Sequence, residues 1–370
     1  MVAPAALHSA AVPTVQSGLD VLVHHRLGLL RGRRFGLLAH QASVDARLRH
    51  AVTLLRDVRG ARLAALFAPE HGLWGAAQDH AAIASTRDPA TGLPVTSLYG
   101  GRRIPTPAML RGLDVLVIDL QDVGSRYYTF QWTMALAMQA CARAGVRVLV
   151  LDRPNPLGGE IVEGNVPDPA FASFVGLYPL PARPGLTLGD TELPWVAPSP
   201  NMPTPDTARV YPGGCLIEGT NLSEGRGTTR PFEWVGAPWL DAHAFAAALA
   251  AEALPGVTFR PARFRPTFHK WAGRLCGGAQ IHVTDRARFQ PFLTGLAVIA
   301  VARRLAPRAF RWRRPPYEFE RRRLPIDILL GTDQVRRALT RGAGLKAVER
   351  SWQRDLAGWK RRRAAWLEYR

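Results

Sequence analysis

The sequence predicts an α/β protein: a Rossmann-like doubly wound parallel sheet domain with a second, smaller α/β (α+β) domain at the C-terminal end. Three observations predict it. Short, largely apolar runs at Phe35–Ala39, Arg62–Phe67, Asp114–Leu120 and Val146–Leu151 alternate with amphipathic stretches, the pattern of repeated strand-helix units. The 370 residues, 47% hydrophobic and 21% charged, suffice for two cores of ordinary globular composition. From Leu157 to Leu240 the chain becomes rich in Pro and Gly and loses its long periodic runs, so loops laid over a groove are expected there.

Phe35–Ala39 is the first predicted strand. Arg47–Arg59 then puts Leu48, Ala51, Val52, Leu55 and Val58 at helical spacing, a helix expected to pack on that strand. Arg62–Phe67, Asp114–Leu120 and Val146–Leu151 follow as buried strands, with Phe130–Ala144 as the helix between the last two. Further on, Asp241–Leu254 and Phe289–Leu305 read as helices and Ala279–Val283 as a strand. Val335–Arg370 reads as helical, with Trp352, Trp359 and Trp366 seven residues apart as a packing stripe. The division is a Rossmann-like catalytic domain over 18–160, a Pro/Gly-rich loop region lining a cleft over 161–240, and a smaller domain with a basic helical tail over 241–370.

Charge and cysteine usage exclude several classes. The formal net charge is +19, and Val301–Arg370 alone holds 20 basic against 7 acidic residues. No zinc-finger, homeodomain or RNA-binding signature accompanies that charge, so a specific nucleic-acid partner is not expected. Cys141, Cys215 and Cys276 are too far apart for a CxxC metal site, and their odd number rules out a disulfide framework. The longest apolar segment, around Leu293–Ala302, falls well short of the ~20 residues that span a bilayer, so no transmembrane segment is predicted. Met1–Gly18 lacks the basic start and apolar stretch of a secretory signal, and the chain reads as cytoplasmic, with a periplasmic or secreted location left open. Neither a G-x-G-x-x-G after the first strand nor a Walker-type loop is present, and no cofactor is predicted.

Ligands of such sheets bind beyond the carboxyl ends of the strands. The first strand ends in His40-Gln41, the second in Glu70-His71-Gly72, the third in Asp119 and Gln121-Asp122, and the fourth in Asp152-Arg153-Pro154-Asn155. Each could be a cap or a turn alone, but together they bring carboxylates, the His71 base and the Arg126 and Arg153 cations to one rim, which suits acid/base chemistry on a polar substrate. A second cluster, Ile217–Trp239, holds Glu218, Asn221, Glu224 and Arg226 among Gly219, Gly225 and Gly227. It reads as a binding loop whose arginine could clamp a carboxylate and whose Asn and Glu could bond sugar hydroxyls. Paired carboxylates across a cleft are what glycoside hydrolysis requires. The pairs Glu70-His71, Asp79-His80 and Asp119-x-x-Asp122 match no strong metal-site spacing, and no metal is predicted.

The motifs Ala68-Pro69-Glu70-His71-Gly72, Ser97-Leu98-Tyr99-Gly100, Asp119-Leu120-Gln121-Asp122-Val123-Gly124-Ser125-Arg126-Tyr127-Tyr128-Thr129 and Asp152-Arg153-Pro154-Asn155-Pro156 resemble the bacterial exo-β-N-acetylmuramidase family. Pro198-Ser199-Pro200-Asn201-Met202-Pro203, Glu218–Thr228 and Pro325-Ile326-Asp327 agree in order and spacing, so the likeness runs from about Gly18 to Trp359. The resemblance implies a glycosidase that removes terminal, non-reducing N-acetylmuramic acid from peptidoglycan fragments in cell-wall recycling. It implies Glu70 as principal catalytic carboxyl, Asp119 or Asp122 as its partner with Glu224 next in line, and His71 orienting Glu70. Arg126, Tyr127, Asp152, Arg153, Asn201, Asn221, Glu224 and Arg226 are the expected substrate-binding residues, and a small glycan or muropeptide is the expected partner. One departure stands out: Leu188–Glu192 alone joins Gly185-Leu186-Thr187 to Leu193-Pro194-Trp195, where the family carries several tens of residues. His40 also replaces a usual Asn, and Pro184 a usual His. A muropeptide-binding protein that has lost turnover is therefore the alternative expectation.

Overall fold

The structure is a computed structural model, and residues 15–79, 81, 86–158, 161–183, 191 and 193–367 are described. Pro184, Gly185–Thr187, most of the 188–192 junction and His80 lie outside them. The first sheet contains β1 (Arg34–Ala39), β2 (Arg62–Ala68), β3 (Thr86–Arg87), β4 (Pro94–Ser97), β5 (Val115–Asp119) and β6 (Arg147–Val150). Their order is β3-β4-β2-β1-β5-β6, parallel except for β3 against β4. β1 pairs Leu37 with Leu66 of β2 on one side and Val117 of β5 on the other, and central strands covered on both faces read as continuous apolar runs. One face packs Leu38, Phe67 and Ile118 against Ala137 and Cys141 of the helix Thr129–Ala144, which Gly145 ends at φ 68. Leu19, Leu22, Val52 and Leu55 cover the other face. Strand order reverses between β1 and β5, the switch point at which such sheets leave a crevice.

The predicted helix over 47–59 is shorter than its periodicity suggested. Asp45 accepts the Arg47 and Arg49 N–H groups at 3.0 and 2.8 Å, and Leu48 takes φ 62, so that stretch is a turn. The helix runs over Ala51–Leu55, with His50 Nδ1 accepting the Val52 N–H as its cap. Residues 157–240 hold more regular structure than their composition suggested, notably the helix Pro205–Gly214 and β7 (Trp234–Ala237). β7 joins β8 (Val257–Phe264) and β9 (Cys276–Val283) in an antiparallel sheet of order β7-β9-β8. The C-terminal stretch breaks at Arg341–Gly344 and again at Ser351-Trp352 into the helices Gln334–Thr340, Leu345–Arg350 and Gln353–Arg363. Two of the three tryptophans pack on one core, Trp352 buried against Phe292 and Trp359 partly buried beside it, whereas Trp366 is 83% exposed.

The helix Pro291–Leu305, buried on nearly every side, crosses Pro205–Gly214 where Gly213 and Gly295 bring the two backbones into contact, an approach a Cβ would block. Its N-terminus is capped from outside: Glu163 accepts the Phe292 and Leu293 N–H groups at 3.2 and 2.9 Å. Burial pushes the Glu163 carboxyl up to about 7, with those bonds and Arg183 acting the other way. The folded chain thus keeps a proton that the unfolded chain releases near pH 4.5, and this group's contribution to stability falls as pH rises from there to about 7. Urea unfolding of Glu163→Gln is expected to show a shallower loss of stability over that window than the parent, the difference reaching about 3 kcal/mol.

Candidate active site

A sharp turn follows β2. His71 and Gly72 both adopt left-handed angles, φ 69 and 82, and turn the chain back after Glu70. His71 Nδ1 donates to the Ala77 carbonyl at 2.8 Å, which closes the loop and leaves Nε2 as the acceptor nitrogen. Glu70, only 6% exposed, accepts from Thr129 Oγ1 at 2.8 Å. Because Thr129 opens a 16-residue helix, the carboxylate lies at that helix's positive end.

A second carboxyl meets it from far along the chain. Tyr99, just past β4, directs its hydroxyl to Glu318 Oε2 at 3.2 Å and also bonds Glu70. Glu318 and Phe319 take φ 44 and 70 in a tight turn closed by reciprocal Tyr317 and Glu320 backbone bonds of 2.9 Å. Desolvation, then the negative charges of Glu70 and Glu218, hold the Glu318 carboxyl well above the usual range, while Tyr99 is raised by burial and by both glutamates. Two carboxylates that share one hydroxyl repel each other when both are ionised. One proton on the pair removes that repulsion.

The turn is held by a charge network. Tyr317 Oη donates to Glu218 Oε2 at 2.8 Å, and Glu218 Oε1 accepts from Arg226 Nη2 at 2.7 Å. Arg226 also meets Asp79 at 3.1 Å and Glu224 at 3.5 Å, with its guanidinium 4.9 Å from the Phe232 ring centroid. Burial opposes its charge, yet Glu218, Asp79 and Glu224 together hold its pKa well above the ordinary arginine value. Asp79 meets His269 at 3.1 Å, and that hydrogen bond raises the imidazole pKa. Lys270 meets Glu224 at 2.6 Å and donates to the Ile217 and Thr220 carbonyls. Together with Tyr127, Tyr128, Asn201 and Tyr211, the residues Glu70, His71, Asp79, Glu218, Arg226, Tyr317 and Glu318 line one cleft of about 450 Å³. Its polar walls and paired carboxyls suit general acid/base work on a hydroxyl-rich ligand.

The sequence profiles of exo-β-N-acetylmuramidase NamZ match this chain over residues 35–192 for the N-terminal part and 209–369 for the C-terminal part. The chain belongs to the exo-β-N-acetylmuramidase NamZ family. The peptidoglycan β-N-acetylmuramidase NamZ of Bacillus subtilis strain 168 is 41% identical over 392 aligned positions, which cover 98% of this chain and 93% of that protein. The alignment is longer than the chain, so the relative carries residues that this NamZ-family member lacks. Two DUF1343 family proteins of Bacteroides fragilis NCTC 9343 have crystal structures that match at TM-scores of 0.85 and 0.74, with 30% and 26% identity. Each match covers 96% of this chain and 99% of the other.

Of the residues expected from the sequence, the cleft gathers Glu70, His71, Tyr127, Asn201 and Arg226, with Glu224 held directly behind Arg226. The others have different surroundings. Asp119 is fully buried in a two-point pair with Arg153, at 2.5 and 2.8 Å, and Arg153 also donates to the Val44 carbonyl. That pair underlies a separate depression at the β1/β5 switch point, bordered by Gln121 and by Leu193–Val196, the residues leaving the short junction. Asp122 Oδ1 caps Gly124 N–H at 2.7 Å, Oδ2 is buried without a partner, and burial raises the carboxyl to about 7; it does not line the cleft. Arg126 spends its guanidinium on the Asn165, Leu180 and Leu329 carbonyls at 2.8 Å. Asn221 bridges to Ala309 and Arg311, and Asp152 is exposed.

The sequence reading assigned no role to Tyr99, Asp79, Tyr317, Glu318, His269 or Lys270. A signal for Glu318 existed: Tyr317-Glu318-Phe319-Glu320 is an acidic, aromatic island between Arg314 and Arg321 in an otherwise basic tail. Among the described residues, no group of three or more His, Cys, Asp or Glu side chains is disposed to hold a metal ion. Since Asp119 and Arg153 neutralise each other in the interior, Asp119→Ala is expected to cost about 3–5 kcal/mol in urea unfolding by stranding the arginine. The double variant Asp119→Leu/Arg153→Met is expected to recover most of that loss.

Proposed function

We propose that this protein is an exo-acting β-N-acetylmuramidase, a glycoside hydrolase that releases terminal, non-reducing N-acetylmuramic acid from peptidoglycan fragments. The observation that carries the reading is the Glu70–Tyr99–Glu318 arrangement within a polar cleft. Family membership and the activity named for the Bacillus subtilis relative support it.

In this reading Glu318, kept protonated by its surroundings, donates its proton to the glycosidic oxygen. The C1–O bond breaks, its electron pair leaves with that oxygen, and Glu70 supplies the negative charge facing the cationic sugar ring. Water then adds hydroxide to C1 and returns a proton to the carboxyl pair. Tyr99 keeps the two carboxyls in register, and the His71–Ala77 bond fixes the loop that carries Glu70.

The short junction does not favour a binder without turnover, because the residues that leave it border the Arg153 depression and not the Glu70 cleft. Among the described residues no helix is long and apolar enough to cross a membrane. The proposed setting is the cytoplasm, with recycled muropeptides as substrate.

Release of N-acetylmuramic acid from a muramyl-glucosamine disaccharide tests the roles. Glu70→Gln and Glu318→Gln are each expected to lower kcat by about 10²–10⁴-fold while remaining folded. A p-nitrophenyl muramide, whose leaving group needs no proton, is expected to restore turnover to Glu318→Gln alone. The reading fails if a folded parent releases no sugar from either substrate.

A further inference from the structure

N-acetylmuramic acid differs from N-acetylglucosamine by a lactyl ether on O3, which ends in a carboxylate. A site that selects it needs a cation with unused N–H groups beside the reacting carboxyls. Of the two arginines expected for this task, Arg126 and Arg226, the second is ringed by Asp79, Glu218 and Glu224, and its one N–H without a hydrogen-bond partner, on Nε, is buried and faces Glu224 at 3.5 Å. Lys270 is held by Glu224 and two carbonyls, Arg153 by Asp119, and Arg126 by three carbonyls. A second carboxylate at any of them would displace an existing partner from the interior.

Arg103 differs from all four. Its guanidinium lies 4.4 Å from the centroid of Phe319, the residue next to Glu318, and 5.5 Å from that of Phe174. Phe319 is 44% exposed and packs at 5.5 Å against Tyr99, the residue that joins Glu318 to Glu70. Stacking on aromatic rings uses the face of a guanidinium and leaves its N–H edge available for two-point binding of a carboxylate. Among the described residues Arg103 has no carboxylate partner. In muramic acid the lactyl arm sits on C3, two ring carbons from C1.

We propose that Arg103, stacked on Phe319 and Phe174, binds the lactyl carboxylate and thereby selects muramic acid over glucosamine. The inference rests on the muramidase reading of the cleft. It also links specificity to catalysis, since Phe319 and Glu318 belong to one tight turn and substrate held by Arg103 bears on the segment that carries the acid.

The test pairs a change in the protein with a change in the substrate: hydrolysis of the muramyl-glucosamine disaccharide and of its lactyl methyl ester, which lacks the charge. For the parent, kcat/KM is expected to be about 10–100-fold lower on the ester, mainly through KM. Arg103→Gln is expected to treat the two substrates alike, and Arg103→Lys to recover part of the preference, with thermal unfolding confirming that both variants fold. Arg313, 5.6 Å from the Tyr317 ring, is the control, and Arg313→Gln is expected to keep the preference. A parent that hydrolyses both substrates equally, or a preference that survives in Arg103→Gln or disappears in Arg313→Gln, overturns the role of Arg103 and leaves the muramidase reading standing. A folded parent that hydrolyses neither overturns both.

Discussion

One guanidinium organises the cleft. Arg226 holds Asp79 from the loop after β2, Glu218 from the turn Cys215–Gly219, and Glu224 from its own loop, and through Glu218 and Tyr317 it fixes the turn that presents Glu318. Removing these charges from water is expensive, and such clusters are poor sources of net stability. Their value here is positional: a cation with three carboxylate partners has few alternative arrangements, so three distant segments are held in register around one cavity.

The same cluster sets the protonation of the site. Among the described residues, five carboxyls, those of Glu70, Asp79, Glu218, Glu224 and Glu318, gather around Arg226, Lys270 and His269. Adding a fifth negative charge where desolvation is already large is the least favourable option, and it falls to Glu318, beside both Glu70 and Glu218. The upward displacement of the Glu318 carboxyl therefore follows from its burial and from the charge balance of the cleft, without any special property of the residue itself.

Much of the sheet was legible in the sequence because central parallel strands leave an apolar period that little else imitates. The rule about strand ends also directed attention to Glu70 and to Asp119. What the sequence does not contain is which groups at an edge find each other: Asp119 is absorbed by an arginine 34 residues on, whereas Glu70 is matched by a carboxyl 248 positions away. Glu318 follows a run of Arg and Pro and sits in a left-handed turn, so no periodicity marks it and the acidic, aromatic island around it is its one compositional signal. Arg126 and Asn221 show the converse. Polar residues among glycines read as ligand contacts, yet both bond backbone carbonyls that the loops leave without partners.

The central claim is that burial, reinforced by the negative charges of Glu70 and Glu218, holds the Glu318 carboxyl well above the ordinary glutamate range. Carbon-13 labelling of the glutamate carboxyls, with the Glu318 resonance assigned by its loss in Glu318→Gln, measures this directly in a pH titration. The account predicts that the Glu318 resonance stays in its protonated position through neutral pH and that Glu70→Gln shifts its titration to lower pH. Titration of Glu318 near pH 4.5 in the parent, unmoved by Glu70→Gln, would contradict it.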